Sequence, residues 1–236
     1  MIPIKDTVPS KTYPFVTIGL IVINSIVFLF EVSLGEDLNQ FLMTFGLIPL
    51  RFFHQIEVGK YPIRRFIPFF TSMFLHGGWL HLIGNMWYLW IFGDNVEDRM
   101  GHLKYILFYV LCGLAAGTTH LFTNVNSGIP TVGASGAIAG VMGAYIVLYP
   151  KAKIWTLIPI FLFIQFIEIP AFLFLGFWIL MQFLIGTFSR SVGPSQGGVA
   201  WWAHIGGFAA GAILVFLFKK RKKHEVRRYA DEYHPW

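Results

Sequence analysis

Apolar residues in this chain gather in long runs instead of alternating with polar ones. Six runs stand out, at about 15–34, 79–93, 103–122, 132–149, 170–189 and 200–218. A transmembrane helix needs roughly 20 mostly apolar residues, so each run is read as one span. A seventh stretch, 154–169, is about 16 residues long, is interrupted by Pro159 and ends in Glu168-Ile169-Pro170. It suits an interfacial or re-entrant segment better than a span. The 35–70 loop mixes Phe41, Phe45, Phe52, Phe53 and Phe66 with sparse charge, a pattern that favours a segment lying partly in the membrane interface.

Composition narrows the class further. Of 236 residues, 56% are hydrophobic and 13% charged, about half the roughly 25% charge of a soluble domain. A water-soluble globule cannot hide that much apolar surface. Disorder is excluded as well, because disordered chains are poor in aromatics and this one has 25 Phe, 9 Tyr and 8 Trp. The expected fold class is an all-α polytopic membrane protein, a bundle of six transmembrane helices. The expected organisation is a short cytoplasmic N-terminus at 1–14, one helical domain at 15–218 and a basic cytoplasmic tail at 219–236. No internal repeat is visible. The first run has no clear cleavage site and reads as an uncleaved span. The single cysteine, Cys112, excludes an intrachain disulfide and a cysteine-built metal site.

Charge then sets the topology. Seven of the 18 basic residues crowd into Lys219–Arg228, just after the last apolar run. That placement reads as an anchor beside anionic lipid headgroups, not a nucleic-acid surface. With six spans and both ends inside, 13 basic residues lie inside and 5 outside; with seven spans the split is 11 to 7. The positive-inside rule prefers six.

Three polar clusters interrupt the apolar runs: His76-Gly-Gly-Trp-Leu-His81-Leu-Ile-Gly-Asn85, Gly133-Ala134-Ser135-Gly136 and Ala203-His204-Ile205-Gly206-Gly207. Polar groups within spans are costly and mark function by default. In the six-span arrangement Ser135 and His204 both lie roughly 5–6 Å below the starts of their helices, at 1.5 Å rise per residue. His81 and Asn85 share that leaflet. Gly136, Gly140 and Gly143 form a small-residue stripe in one run, and Gly207 and Gly211 follow His204 in another. Such stripes let two helix backbones approach closely. A serine can then meet an imidazole that takes its proton. No Asp or Glu lies in the outer halves of these runs, so the expectation is a Ser135–His204 dyad without an acidic third member. His81 and Asn85, at i and i+4, present donors on one face. With the Ser135 backbone N–H they suit a developing oxyanion.

Each feature alone has a plainer meaning. A lone intramembrane serine bonds back to its own helix, glycine stripes serve packing, and a histidine near a helix end is an interfacial group. The joint occurrence at one depth favours chemistry. His76, His102 and His120 are read as structural. A metal site lacks support: there is no His-Glu-x-x-His pairing and no outer-leaflet carboxylate to serve as ligand or base.

Together the clusters resemble the rhomboid intramembrane serine proteases. The resemblance rests on His76, His81 and Asn85, on Gly133, Ser135 and Gly136, on Ala203, His204, Gly207 and Gly211, and on the stretch Phe92-Gly-Asp-Asn-Val-Glu-Asp-Arg-Met-Gly101. It covers about residues 15–218. It implies a six-helix rhomboid-like core with a water-filled cavity opening outward, and a serine endopeptidase that needs neither metal nor cofactor. Ser135 would be the nucleophile and His204 the general base, with His81 and Asn85 in the oxyanion hole. The fifth span would be a lateral gate. Substrates would be single-pass membrane proteins, cut near the outer end of their spans. Two departures stand out: the Trp-Arg pair many relatives carry in the first loop is missing from 35–70, and Ala139 stands where some relatives place an aromatic under the histidine. The rival reading is a non-proteolytic binder of transmembrane helices. Short tails and the lack of a transit peptide point to a prokaryotic plasma membrane.

Overall fold

In the computed structural model, the described residues are 1–59, 61–160, 163–191 and 199–220. Most of the basic tail, 221–236, lies outside them.

Six apolar helices occupy the six runs: α1 (Phe15–Ser33), α5 (Trp79–Met100), α6 (His102–Thr123), α7 (Ser135–Leu148), α8 (Ala171–Ser191) and α9 (Trp201–Phe218). Four segments, Phe15–Ser33, His102–Thr123, Ala171–Ser189 and Trp201–Phe218, are long and apolar enough to cross a membrane. A fifth crossing results if Arg64–Phe74 and Trp79–Met100, bent by 80°, count as one span. The sixth, α7, has only 14 residues. At 1.5 Å per residue that is about 21 Å, short of the roughly 30 Å of hydrocarbon. Helix α7 alone is therefore too short to cross the hydrocarbon core.

Helix α7 is the central post. Every residue from Gly136 to Tyr145 is buried, as expected of a helix apolar on all sides. Helices α5, α6, α8 and α9 pack around it. The α7–α9 contact is backbone on backbone. A Cβ added to Gly207 would stand 1.9 Å from the Gly136 carbonyl oxygen, and one on Gly211 would stand 1.9 Å from that of Gly140. Only hydrogen fits at these positions, which is how the two stripes act.

The first loop is helical in pieces. A 3₁₀ turn (Gly35–Asp37) leads into α2 (Leu38–Phe45) and α3 (Pro49–Glu57), and a second turn (Arg64–Phe66) leads into α4 (Ile67–Thr71). Phe52 stacks edge-on with Phe53, Phe66 and Phe69. Arg51 supplies the anchor that the missing Trp-Arg pair left open. Its guanidinium donates to the carbonyls of Met43, Thr44 and Gly46 at the end of α2. Leu47 pairs with Thr131 through two backbone hydrogen bonds, of 3.0 and 2.9 Å, and so ties this loop to the segment before α7.

The opposite end of the bundle is held by one carboxylate. Pro14 at the start of α1 offers no side-chain cap. Buried Glu97 of α5 takes that role: it accepts from the backbone N–H of Val16 and Thr17 and from Thr17 Oγ1, and pairs with His102 Nδ1 at 2.6 Å. A carboxylate at a helix N-terminus satisfies orphan N–H groups and meets the positive end of the helix dipole. Lys220 closes the same corner, donating from its backbone to Arg99 and from Nζ to the Asp98 carbonyl.

The segment expected to be interfacial or re-entrant is extended: β2 (Lys153–Ile160) and β3 (Phe163–Pro170) pair antiparallel as a β-hairpin, with Ile154 opposite Ile169 and Leu157 opposite Phe166. The N-terminal segment adds β1 (Ile2–Asp6) to make the order β1-β2-β3. Alternating β-branched and aromatic residues favour strand, and the short apolar run hides that preference. Lys153 and Trp155 both donate to Glu168 across the hairpin. Trp87 of α5 donates to the Pro3 carbonyl at 2.6 Å, and Asp6 accepts from Asn95 and Tyr145. The sheet is thereby pinned beneath α5 and α7.

Candidate active site

Ser135 opens α7 and His204 is the fourth residue of α9. The glycine contact brings the two helices together at this end. Ser135 Oγ lies 2.8 Å from His204 Nε2, a hydrogen bond between side chains 69 residues apart. The residues before Ser135 are shaped for it. Gly133 has φ +128°, a conformation that a side chain rarely adopts. A Cβ there would also stand 2.7 Å from His81 Nε2 and 3.5 Å from Ser135 Oγ. Its N–H donates to the Ser72 carbonyl at 2.9 Å, fixing the approach to the helix.

His81 and Asn85 sit one turn apart on α5 and face the serine. His81 Nδ1 accepts from the Gly77 backbone N–H at 3.3 Å. That bond places the ring proton on Nε2, the nitrogen turned toward Gly133 and Ser135. Asn85 is buried, and its Nδ2 has no hydrogen-bond partner among the described residues. A buried amide donor without a partner is costly; here it lines a cavity of about 760 Å³ together with His81, Ser135, His204 and Trp178. The cavity reaches the surface beside exposed Leu80, Ile129 and Val199. Among the described residues, no three His, Cys, Asp or Glu side chains converge as a metal site.

The other histidines make local contacts. His102 pairs with Glu97, and His120 Nε2 lies 2.7 Å from Thr131 Oγ1. His76 is buried beside Phe28 and His81, and its backbone N–H donates to the Glu31 carboxylate at 3.1 Å. Glu31, isolated in the sequence, is therefore a buried tether between α1 and the loop entering α5.

Two residues at the site lie outside the three polar clusters of the sequence. Gln182 of α8 places Oε1 2.7 Å from His204 Nδ1. Trp178, one turn earlier, lies 5.7 Å from the His204 ring with a 35° tilt, so the aromatic beside the imidazole comes from α8. Reading only carboxylates as partners for the histidine passed over a neutral acceptor. The aromatic was missed because it comes from a different helix.

The fold and site define a polytopic helical membrane protein in which a partly exposed serine meets a buried histidine. Comparison with known families agrees. The Rhomboid domain model matches residues 64–221, and the chain belongs to the rhomboid family. It is 30% identical over 154 residues to RHOMBOID-like protein 5 of Arabidopsis thaliana, covering 65% of this chain and 44% of that protein. It is 27% identical over 205 residues to Rhomboid-like protein 11, chloroplastic, of the same plant, covering 84% and 66%. It is 31% identical over 136 residues to the rhomboid protease GluP of Bacillus subtilis, covering 58% and 24%. The chain thus spans less than half of the first relative's length and about a quarter of the last one's. The family is one of intramembrane proteases, and this chain is an integral membrane protein.

Proposed function

We propose that this chain is an intramembrane serine endopeptidase working through a Ser135–His204 dyad. The observation that carries the reading is the 2.8 Å contact from Ser135 Oγ to His204 Nε2 inside a cavity with an unpartnered amide donor. His204 takes the proton as Ser135 Oγ attacks the scissile carbonyl. Negative charge develops on the carbonyl oxygen as the tetrahedral intermediate forms. His81 Nε2–H, Asn85 Nδ2–H and the Ser135 N–H are the donors for it, and the N-terminus of α7 adds positive potential. Collapse breaks the C–N bond, and His204 gives its proton to the leaving amine. Water activated by the same imidazole then hydrolyses the acyl-serine.

Substrates in this reading are transmembrane proteins whose span unwinds at the cavity, near its outer end. Both termini face the cytoplasm, and the host membrane is a prokaryotic plasma membrane. The test is labelling of the solubilised protein with a fluorophosphonate. Label is expected on the parent chain and on neither Ser135→Ala nor His204→Ala, with both variants folded. Full labelling of Ser135→Ala would overturn the mechanism. A folded, cavity-accessible parent chain that takes no label would favour a non-proteolytic binder of membrane helices.

A further inference from the structure

Helix α8 is apolar along almost its whole length. Its exposed side chains include Phe172, Phe177, Leu180 and Phe188. Gln182 breaks that pattern. It sits between Met181 and Phe183, yet it is buried, only 7% exposed, and its Oε1 meets His204 Nδ1. An amide in an apolar helix is expensive unless a partner repays it. The partner here is the ring nitrogen of His204 that does not touch Ser135.

An imidazole can accept the serine proton at Nε2 only if its own proton sits on Nδ1. Which nitrogen carries that proton is set by the bond the other one makes. A carbonyl oxygen at Nδ1 demands a donor there, which leaves the Nε2 lone pair for Ser135 Oγ–H. We propose that Gln182 is the positioning residue of His204, holding the Nδ1–H tautomer that makes it a base. This rests on the dyad reading above. It supplies the member the dyad lacks, as a neutral amide from α8 in place of a carboxylate. Trp178, at i−4 on the same face of α8, stacks near the ring and fixes its plane. Both groups that orient the base therefore ride on one helix that packs on α9 and touches α7.

The alternative arrangement has the opposite consequence. A flipped Gln182 amide would donate to Nδ1 and drive the ring proton to Nε2. The imidazole would then donate to Ser135 and could not activate it. The ¹⁵N shifts of His204 distinguish the two in the parent protein, with no substitution. Nε2 unprotonated and Nδ1 protonated is the expected result; the reverse overturns the proposal.

Kinetics give the second arm. Gln182→Leu keeps the volume and removes the acceptor, so a buried Nδ1–H loses its partner. Fluorophosphonate labelling and kcat on a transmembrane substrate are expected to fall about tenfold to hundredfold, with KM unchanged and ¹⁵N shifts moving toward the other tautomer. Gln182→Glu keeps an acceptor oxygen on the same stem and is expected to restore most of the rate. Unchanged labelling in Gln182→Leu, or a loss that Gln182→Glu shares equally, would overturn the proposal while the dyad stands. Absence of label on the parent chain would instead overturn the dyad.

Discussion

Asn85 illustrates how a single residue carries meaning at this site. Its Nδ2 is buried without a partner among the described residues, a state that stability alone would not select. Under the proposed mechanism this donor serves the charge that develops on the scissile carbonyl during reaction. Asn85→Ala is expected to lower kcat by about 10²–10³ while leaving KM and fluorophosphonate accessibility nearly unchanged; a variant with parent-level kcat would remove Asn85 from the oxyanion hole. At this scale the sequence was most legible where a polar atom had no business in lipid. Ser135, His204, His81 and Asn85 were singled out that way, and the structure gathers them around one cavity. Gln182 obeys the same rule, but it lies alone in its run, with no spacing to another motif residue. Glu31 is likewise alone in its run, and its partner is a backbone N–H 45 residues away.

Elements were legible in proportion to their length. The six apolar runs each hold a helix, with ends shifted by a few residues. Helix α5 extends to Met100, seven residues past the apolar run, because Asn95, Glu97 and Arg99 lie near the end of the bundle, where Glu97 caps α1. The hairpin was not legible. A largely apolar segment of eight residues fits a strand or two helical turns equally well, and only the pairing partner decides. That partner is in part β1, more than 140 residues earlier. The helix contact most open to test is α7 against α9. Gly211 lies two turns from His204, outside the site. Its Cβ would meet the Gly140 carbonyl, so Gly211→Ala must force the helices apart. Overpacking of this kind costs about 1–3 kcal/mol. A lowered melting temperature and loss of Ser135 labelling are expected together, although no reacting group has changed. Parent-level melting and labelling would show that the helices yield at no cost.

The whole molecule has two differently built ends. The site end is a cavity among loops; the other is tied by carboxylates and the β1-β2-β3 sheet. Asp6 is the titratable link of that sheet to the bundle. Burial, helped by nearby Asp94, pushes its carboxyl from the ordinary 3.8 up to about 6, against the opposing hydrogen bond from Tyr145. The folded carboxyl holds its proton more tightly than the free one. The stability this contributes is therefore full below about pH 4 and is lost as pH rises through about 6. Protection of the β1 amides against hydrogen exchange, corrected for intrinsic rate, is expected to fall across that window. In Asp6→Asn it should stay flat; equal pH dependence in both would assign the effect elsewhere. Nothing in the order of the first 14 residues marks this coupling, because the strand that pairs with them lies more than 140 residues later.

Helix α7 is enclosed by protein along ten consecutive residues, so the segment carrying the serine meets no lipid there. Its mutational tolerance should then follow a different currency from that of the outer spans. On α8, any residue oily enough for the bilayer should serve at the exposed positions. On α7 the limit is volume: Ala137, Ala139 and Ala144, each at most 1% exposed, should reject leucine more strongly than serine, although leucine is far the more lipid-soluble. A saturation scan read out by labelling would show this as an inverted hydropathy ranking on one helix among six. A ranking that tracked hydropathy on α7 as it does on α8 would mean that the central post is wetted by lipid after all.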